Sequence, residues 1–219
     1  MREYFKVAIV AKSGSGKTYS LRNLDPNTTA FINMENKPLP FINNFVHYCT
    51  PKNFQEAYQK IIEYGQNEKI ETIVLDSFSA YQEDALIQAS TTKKGFDVWN
   101  DYNMNIRSLM KLIKLVPKDV LMTAHYQLVQ IDGGNSTEKR IGVKGNEHNV
   151  TGIEGNFTMV VFADMKLVDN KRNFIYKLLT SGNDTAKTPP YLIEALGGEE
   201  IPNDAKLVID AIKTSHIKA

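Results

Sequence analysis

Apolar residues along this chain fall into short unbroken runs, separated by stretches in which they recur every three or four positions. The runs cover residues 5–10, 29–33, 72–75, 120–124 and 157–162. Continuous apolarity over that length predicts strands buried on both faces, the habit of a parallel sheet. Between them, residues 53–64 carry Phe54, Ala57, Tyr58, Ile61 and Ile62 at helical spacing. Residues 99–115 do likewise, with Ile106, Leu109, Met110 and Ile113 on one face and Pro117 closing the segment. Strands alternating with helices predict an α/β fold, mainly a parallel sheet flanked by helices. Near the C-terminus, residues 165–168 and 173–179 lie on either side of Asp169-Asn170-Lys171-Arg172, which predicts an antiparallel hairpin with a polar turn. Pro202-Asn203-Asp204 then starts a last helix over 205–212. Two stretches, 89–101 and 130–149, read as irregular loops, and the second is long enough to suggest function or disorder. No linker, composition shift or repeat divides the chain, so one domain over 1–219 is expected.

Composition narrows the class. With 42% hydrophobic and 10% aromatic residues the chain can bury a core, which excludes global disorder. A net charge of +1 gives no overall basic signature, so any nucleic-acid contact must come from local loops or from repetition in an oligomer. The single Cys49 rules out an intramolecular disulfide and fits a reducing cytoplasm. The first strand begins at about residue 4, leaving no room for a signal peptide, and no apolar run approaches the roughly 20 residues that cross a bilayer. A soluble cytoplasmic protein without membrane contact is expected.

The chemistry enters directly after the first apolar run. Ala11-Lys12-Ser13-Gly14-Ser15-Gly16-Lys17-Thr18 is a Walker A phosphate loop with Ala11 in the place of the first glycine, a position that needs only a small residue. Gly14 and Gly16 can take backbone angles closed to other residues, so that consecutive N–H groups turn inward around phosphate oxygens. A helix starting near Lys17 would aim its positive end at the same phosphates. Lys17 supplies a mobile charge for the β and γ phosphates and the Thr18 hydroxyl can ligate Mg²⁺. Ser13 to Tyr19 are therefore the expected nucleotide contacts, with ATP and Mg²⁺ as cofactors.

A second motif, Thr72-Ile73-Val74-Leu75-Asp76-Ser77, is an apolar strand ending in an acid. Strand C-termini are where ligands sit in open α/β sheets, so Asp76 would hold Mg²⁺ opposite Thr18. The next residue is Ser77, where many ATPases place the glutamate that polarises the attacking water. Glu35, closing the run Ala30-Phe31-Ile32-Asn33-Met34, should lie on the same sheet edge. It is the candidate base; the ordinary alternative is a solvated loop acid.

A glutamate ending the second strand, with Asp-Ser closing the Walker B strand, resembles the RecA/Rad51 recombinase core. Phe31-Ile32-Asn33-Met34-Glu35 and Ile73-Val74-Leu75-Asp76-Ser77 carry the likeness. Val120-Leu121-Met122-Thr123-Ala124-His125, the run 180–187 with Pro189, and Ile201-Pro202-Asn203-Asp204 resemble more specifically the short phage RecA-like ATPases of the Sak4 group. The resemblance implies a RecA-like P-loop core and a DNA-dependent ATPase acting on single-stranded DNA in phage recombination or annealing. It further implies assembly into a ring or filament, with a single-strand-binding protein as a further candidate partner, in the host cytoplasm. Two departures stand out. With the first strand beginning at once, the separate N-terminal and C-terminal elements of RecA proper are not expected, and His125 replaces the usual glutamine at the γ-phosphate sensor.

By the same resemblance, His125 would orient water or report the γ-phosphate, against the alternative of a strand-end histidine bonded to backbone. The loop 130–149 would contact DNA through Lys139, Arg140 and Lys144, although Asp132, Glu138 and Glu147 offset them and a solvated loop explains it equally. Lys93, Lys94, Phe96 and Trp99 form a basic–aromatic mix suited to stacking on unpaired bases, with Trp99 expected mainly as a core residue of the following helix. Lys187 is the candidate for a cation reaching a neighbour's γ-phosphate in trans, against that of a plain surface lysine. Two rival functions share the motifs. A nucleotide-gated loader or helicase accessory with little turnover would show every one of them. A small-molecule kinase would need a lid of clustered arginines, and Arg2, Arg22, Arg107, Arg140 and Arg172 are scattered.

Overall fold

The computed structural model describes residues 3–131, 134–145 and 152–217. The strands are β1 Lys6–Val10, β2 Thr29–Asn33, β3 His47–Cys49, β4 Thr72–Asp76, β5 Asp119–Ala124, β6 Tyr126–Ile131, β7 Ser136–Ile141, β8 Met159–Val168, β9 Lys171–Lys177 and β10 Glu200–Pro202. The helices are α1 Phe54–Gln66, α2 Phe78–Thr92, α3 Phe96–Leu115, α4 Pro190–Leu196 and α5 Ala205–Ile217. Eight strands form one sheet in the order β10-β9-β8-β1-β5-β4-β2-β3. From β8 to β3 the pairing is parallel, while β8, β9 and β10 pair antiparallel at the far edge. This is the expected α/β architecture with its C-terminal hairpin.

Every residue of β1, β2, β4 and β5 is buried, because both sheet faces are covered. The side chains alternate between two cores. Ala8, Val10, Ile32, Ile73, Leu75, Val120 and Met122 pack with α1, α2 and α3 on one face. Val7, Ile9, Phe31, Val74, Leu121 and Val161 pack with Leu192, Val208 and Ile212 on the other. Register aligns the strand ends: Val10 lies beside Ala124, and Asn33 beside Asp76. Since β5 lies between β1 and β4, the phosphate loop, His125 and Asp76 all emerge from one edge.

Four expectations need correction. Residues 89–101 are not a loop: α2 runs to Thr92 and α3 begins at Phe96. The hydroxyls of Ser90, Thr91 and Thr92 donate to carbonyls three or four residues back, which satisfies these polar residues inside the helix. The stretch 130–149 is not wholly irregular either, because β6 and β7 form an antiparallel pair with Gln130 opposite Thr137. Strand β7 is polar in all but Ile141, so it carries no apolar rhythm to read. Asp132, Glu147 and the rest of 146–149 lie outside the described residues. The phosphate loop is followed by a five-residue 3-10 turn, Tyr19–Asn23, rather than an α-helix, since Leu24 is already extended ahead of Asp25-Pro26. Finally, Trp99 is not core: it is 36% exposed, one turn ahead of Tyr102 at the start of α3, where the buried stripe ends.

Candidate active site

Strand β1 ends at Val10, and the Ala11 N–H donates to the Ala124 carbonyl at 3.1 Å, so the loop starts locked to the end of β5. Gly14 and Gly16 have φ of +77° and +80°, the left-handed angles that an inward-turning loop requires. The short 3-10 turn beyond supplies little aligned dipole, so anion binding rests on the loop N–H groups and Lys17. Lys17 is buried; its ammonium donates to the carbonyls of Lys12 (2.7 Å) and Ala11 (3.2 Å). Burial pulls it down to about 8, against the carboxylates of Asp76 and Glu35, which hold it up.

Asp76 closes β4 and is buried. Its carboxylate accepts from the Thr18 hydroxyl at 3.0 Å and the Thr123 hydroxyl at 2.5 Å. Burial pushes this carboxyl up, and the two hydroxyls and Lys17 oppose the shift. The Asp76 carbonyl accepts from the Met34 N–H at 2.6 Å, which draws the turn after β2 over the same edge. Asn33 fixes that turn: its amide donates to the Lys37 carbonyl and the Tyr48 hydroxyl, both at 2.8 Å, and its oxygen accepts from the Glu35 N–H. Glu35 is thereby delivered to the cleft, where one carboxylate oxygen accepts from Ser77 Oγ at 3.2 Å and the other from Lys37 Nζ at 3.2 Å.

His125 Nδ1 lies 3.2 Å from the Ala11 carbonyl and 3.4 Å from Lys17 Nζ. Burial, with Lys17 adding to it, depresses the imidazole, so the ring is neutral at pH 7. One nitrogen therefore touches both the phosphate loop and its lysine, and the tautomer decides which partner it serves.

These groups converge on a cleft of about 360 Å³ lined by Ser13, Gly14, Gly16, Lys17, Thr18, Tyr19, Glu35, Asp76 and His125, together with Pro40 and Phe174. Ser15 instead lines a neighbouring cavity with Lys12, Tyr126 and Lys139. The adjacent Thr18 hydroxyl and Asp76 carboxylate are hard oxygen donors suited to Mg²⁺. Among the described residues no cluster of three or more His, Cys, Asp or Glu could hold a metal alone.

The remaining predicted residues lie elsewhere. Lys187 exchanges backbone hydrogen bonds with Val160 and does not line the cleft. Arg140 pairs with Glu138 at 2.6 Å, Lys144 pairs with Glu83, and Lys139 sits 5.4 Å from the Tyr126 ring centre. Lys93 and Lys94 are exposed between α2 and α3. The structure brings Lys144 to the same side as Trp99, whose ring lies against Gly145. Sequence reasoning missed Thr123, Phe174 and Asn203. Thr123 had a signal, a polar residue inside the apolar run 120–124. Phe174 had none, and Asn203 had only its place in the run Ile201-Pro202-Asn203-Asp204 that carries the resemblance; both are brought in by strands far along the chain.

A parallel sheet with a phosphate loop on β1, an acid ending β4 and a hydroxyl–carboxylate pair between them defines a P-loop nucleotide-binding domain of the ATPase class. The family model described as an AAA domain matches residues 3–190, and the chain belongs to that family. No curated protein matches it. Among solved structures it is similar to a KaiC-like protein from the hyperthermophilic archaeon Pyrococcus horikoshii OT3, at 11% identity and a TM-score of 0.49, over 84% of this chain and 82% of that one. Among the described residues no helix is long and apolar enough to cross a membrane.

Proposed function

We propose that this protein hydrolyses ATP and couples turnover to single-stranded DNA, in the manner of the short phage recombination and annealing ATPases that its sequence resembles. The observation that carries the hydrolytic half is Glu35, a carboxylate lining the same cleft as Lys17 and Asp76 and held by Ser77. Glu35 takes a proton from water as its oxygen attacks the γ-phosphorus, and ADP leaves with the electrons of the broken P–O bond. Lys17 and the loop N–H groups hold the phosphates. Thr18 and Asp76 would hold Mg²⁺, which would supply positive charge to the phosphates. His125 relays the state of the γ-phosphate to β6, which follows it directly.

Support for a nucleic-acid face comes from Phe96, 72% exposed, and Trp99, placed beside Lys144 with Lys93 and Lys94 at the preceding corner. Exposed aromatics amid lysines suit unpaired bases. In this reading the chains assemble, and Lys187 reaches the γ-phosphate of a neighbour. Phosphate release is measured with and without single-stranded DNA, alongside mass at several concentrations with an ATP analogue. Folded Lys17→Ala and Glu35→Gln variants should lose turnover, by a factor of about 10² or more for the missing base. Wild-type rates in both would refute the assignment. Nucleotide binding without phosphate release would point to the nucleotide-gated loader instead.

A further inference from the structure

Beside the phosphate cleft lies a second cavity of about 510 Å³, within the size range of small-molecule sites. Tyr19 and Phe174 line both cavities, so the two are neighbours across a shared wall. The second cavity is also lined by Arg22, Arg172, Pro202 and Asn203. Asn203 is buried, and both its amide oxygen and its amide nitrogen lack a hydrogen-bond partner. An unpartnered buried amide costs stability unless something else uses it.

Its surroundings are fixed. The Asn203 N–H donates to the Phe174 carbonyl at 3.1 Å, and Arg22 donates to the Asn203 carbonyl at 3.2 Å. The same guanidinium donates to the Tyr19 carbonyl and lies 4.3 Å from the Tyr19 ring centre, which ties that ring to the wall. A methyl built on Gly16 would come within 3.2 Å of the Phe174 ring and 3.4 Å of the Asn203 amide oxygen. The aromatic wall and the amide therefore stand beside Gly16 of the phosphate loop.

We propose that this cavity takes the base of the nucleotide, stacked between Tyr19 and Phe174, and that Asn203 selects adenine. The proposal rests on the ATPase reading and deepens it. Side by side, the amide offers one acceptor and one donor, which match the N6 amino group and N7 of adenine; guanine presents two acceptors on that edge. Phe174 is half-buried in the wall that the two cavities share, and in this proposal its ring turns to admit the base to the buried amide.

The test measures ATP, GTP and inorganic tripolyphosphate binding to the full chain by calorimetry, for the parent, Asn203→Leu and Tyr19→Ala. The parent should bind ATP more tightly than either GTP or tripolyphosphate, by roughly tenfold or more. Asn203→Leu should bring the ATP:GTP ratio near one, keep tripolyphosphate affinity, and unfold no earlier than the parent, since no internal hydrogen bond is lost. Tyr19→Ala should weaken both nucleotides roughly tenfold and leave tripolyphosphate unchanged. Equal parent affinity for ATP and tripolyphosphate, or an unchanged ATP:GTP ratio in Asn203→Leu, overturns the base site while leaving the phosphate site intact. Failure of all three ligands to bind overturns the ATPase reading and this proposal together.

Discussion

Trp99 is the only tryptophan in the chain, so the proposed DNA face carries its own fluorophore. Its ring meets Tyr102 edge to face, with centroids 6.0 Å apart at 89°, and rests against Gly145. At 36% exposure it has surface for one stacked base rather than two. One base on one aromatic is worth about 1–3 kcal/mol. Trp99→Ala should therefore weaken single-stranded DNA binding roughly 5- to 150-fold, with ATP affinity unchanged. Gly145→Ala tests the same face from behind. Gly145 has φ of +93°, and a methyl there would lie 2.8 and 2.9 Å from two ring carbons of Trp99, so backbone and indole must both shift. The variant should change the indole emission without DNA and weaken DNA binding in the same direction. The assay is titration of an oligonucleotide against tryptophan emission, with anisotropy of a labelled oligonucleotide for the Trp99→Ala variant. Binding that leaves the emission untouched, together with parental affinity in Trp99→Ala, would refute the placement of DNA on this face.

Other consequences concern the scaffold. Thr123→Val removes the hydroxyl that donates to the buried Asp76 carboxylate, so urea unfolding at pH 7 should show a loss of about 1.5–3 kcal/mol. Gly65 lies inside α1, where alanine normally gains about 1 kcal/mol, but a methyl there would sit 2.5 Å from Val116 Cγ2. Overpacking costs about 1–3 kcal/mol, so Gly65→Ala should destabilise and Val116→Ala should relieve it in a double-mutant cycle; a stabilising Gly65→Ala would refute the contact. Lys6 is buried at the start of β1, donates to the Val116 and Lys118 carbonyls, and is pulled down to about 8 by burial, against Asp119. Between pH 8 and 10 the unfolded chain then holds more protons than the folded one, so stability should rise with pH, by at most about 1.4 kcal/mol per unit from this lysine. Buried tyrosines, raised by the same cause, cap the window, since their contribution is lost as pH climbs past 10. The slope, read from urea midpoints, should fall in Lys6→Met.

What could be read from the chain, and what could not, follows from how each residue reaches its place. Lys17, Thr18 and Asp76 sit on or beside a strand whose unbroken apolarity announces it, and strand ends in a parallel sheet share one edge. Glu35 needed one further step, because its delivery depends on Asn33 binding the turn 34–37, yet it still follows a legible strand. Strand β7 and the corner between α2 and α3 were missed because both are polar, and neither a period of 2 nor one of 3.6 stands out without an apolar face. Trp99 was misplaced for a different reason: it continues the stripe of Tyr102, Ile106 and Leu109 toward the start of α3, one turn ahead of the part that is buried. Phe174 and Asn203 lie some 160 and 190 residues beyond the phosphate loop they touch and are brought there by antiparallel pairing at the far edge of the sheet. Phosphate chemistry is thus written locally, on consecutive residues that must share one loop. The wall beside it is written in the order of strands, and so is the buried amide that no internal group satisfies.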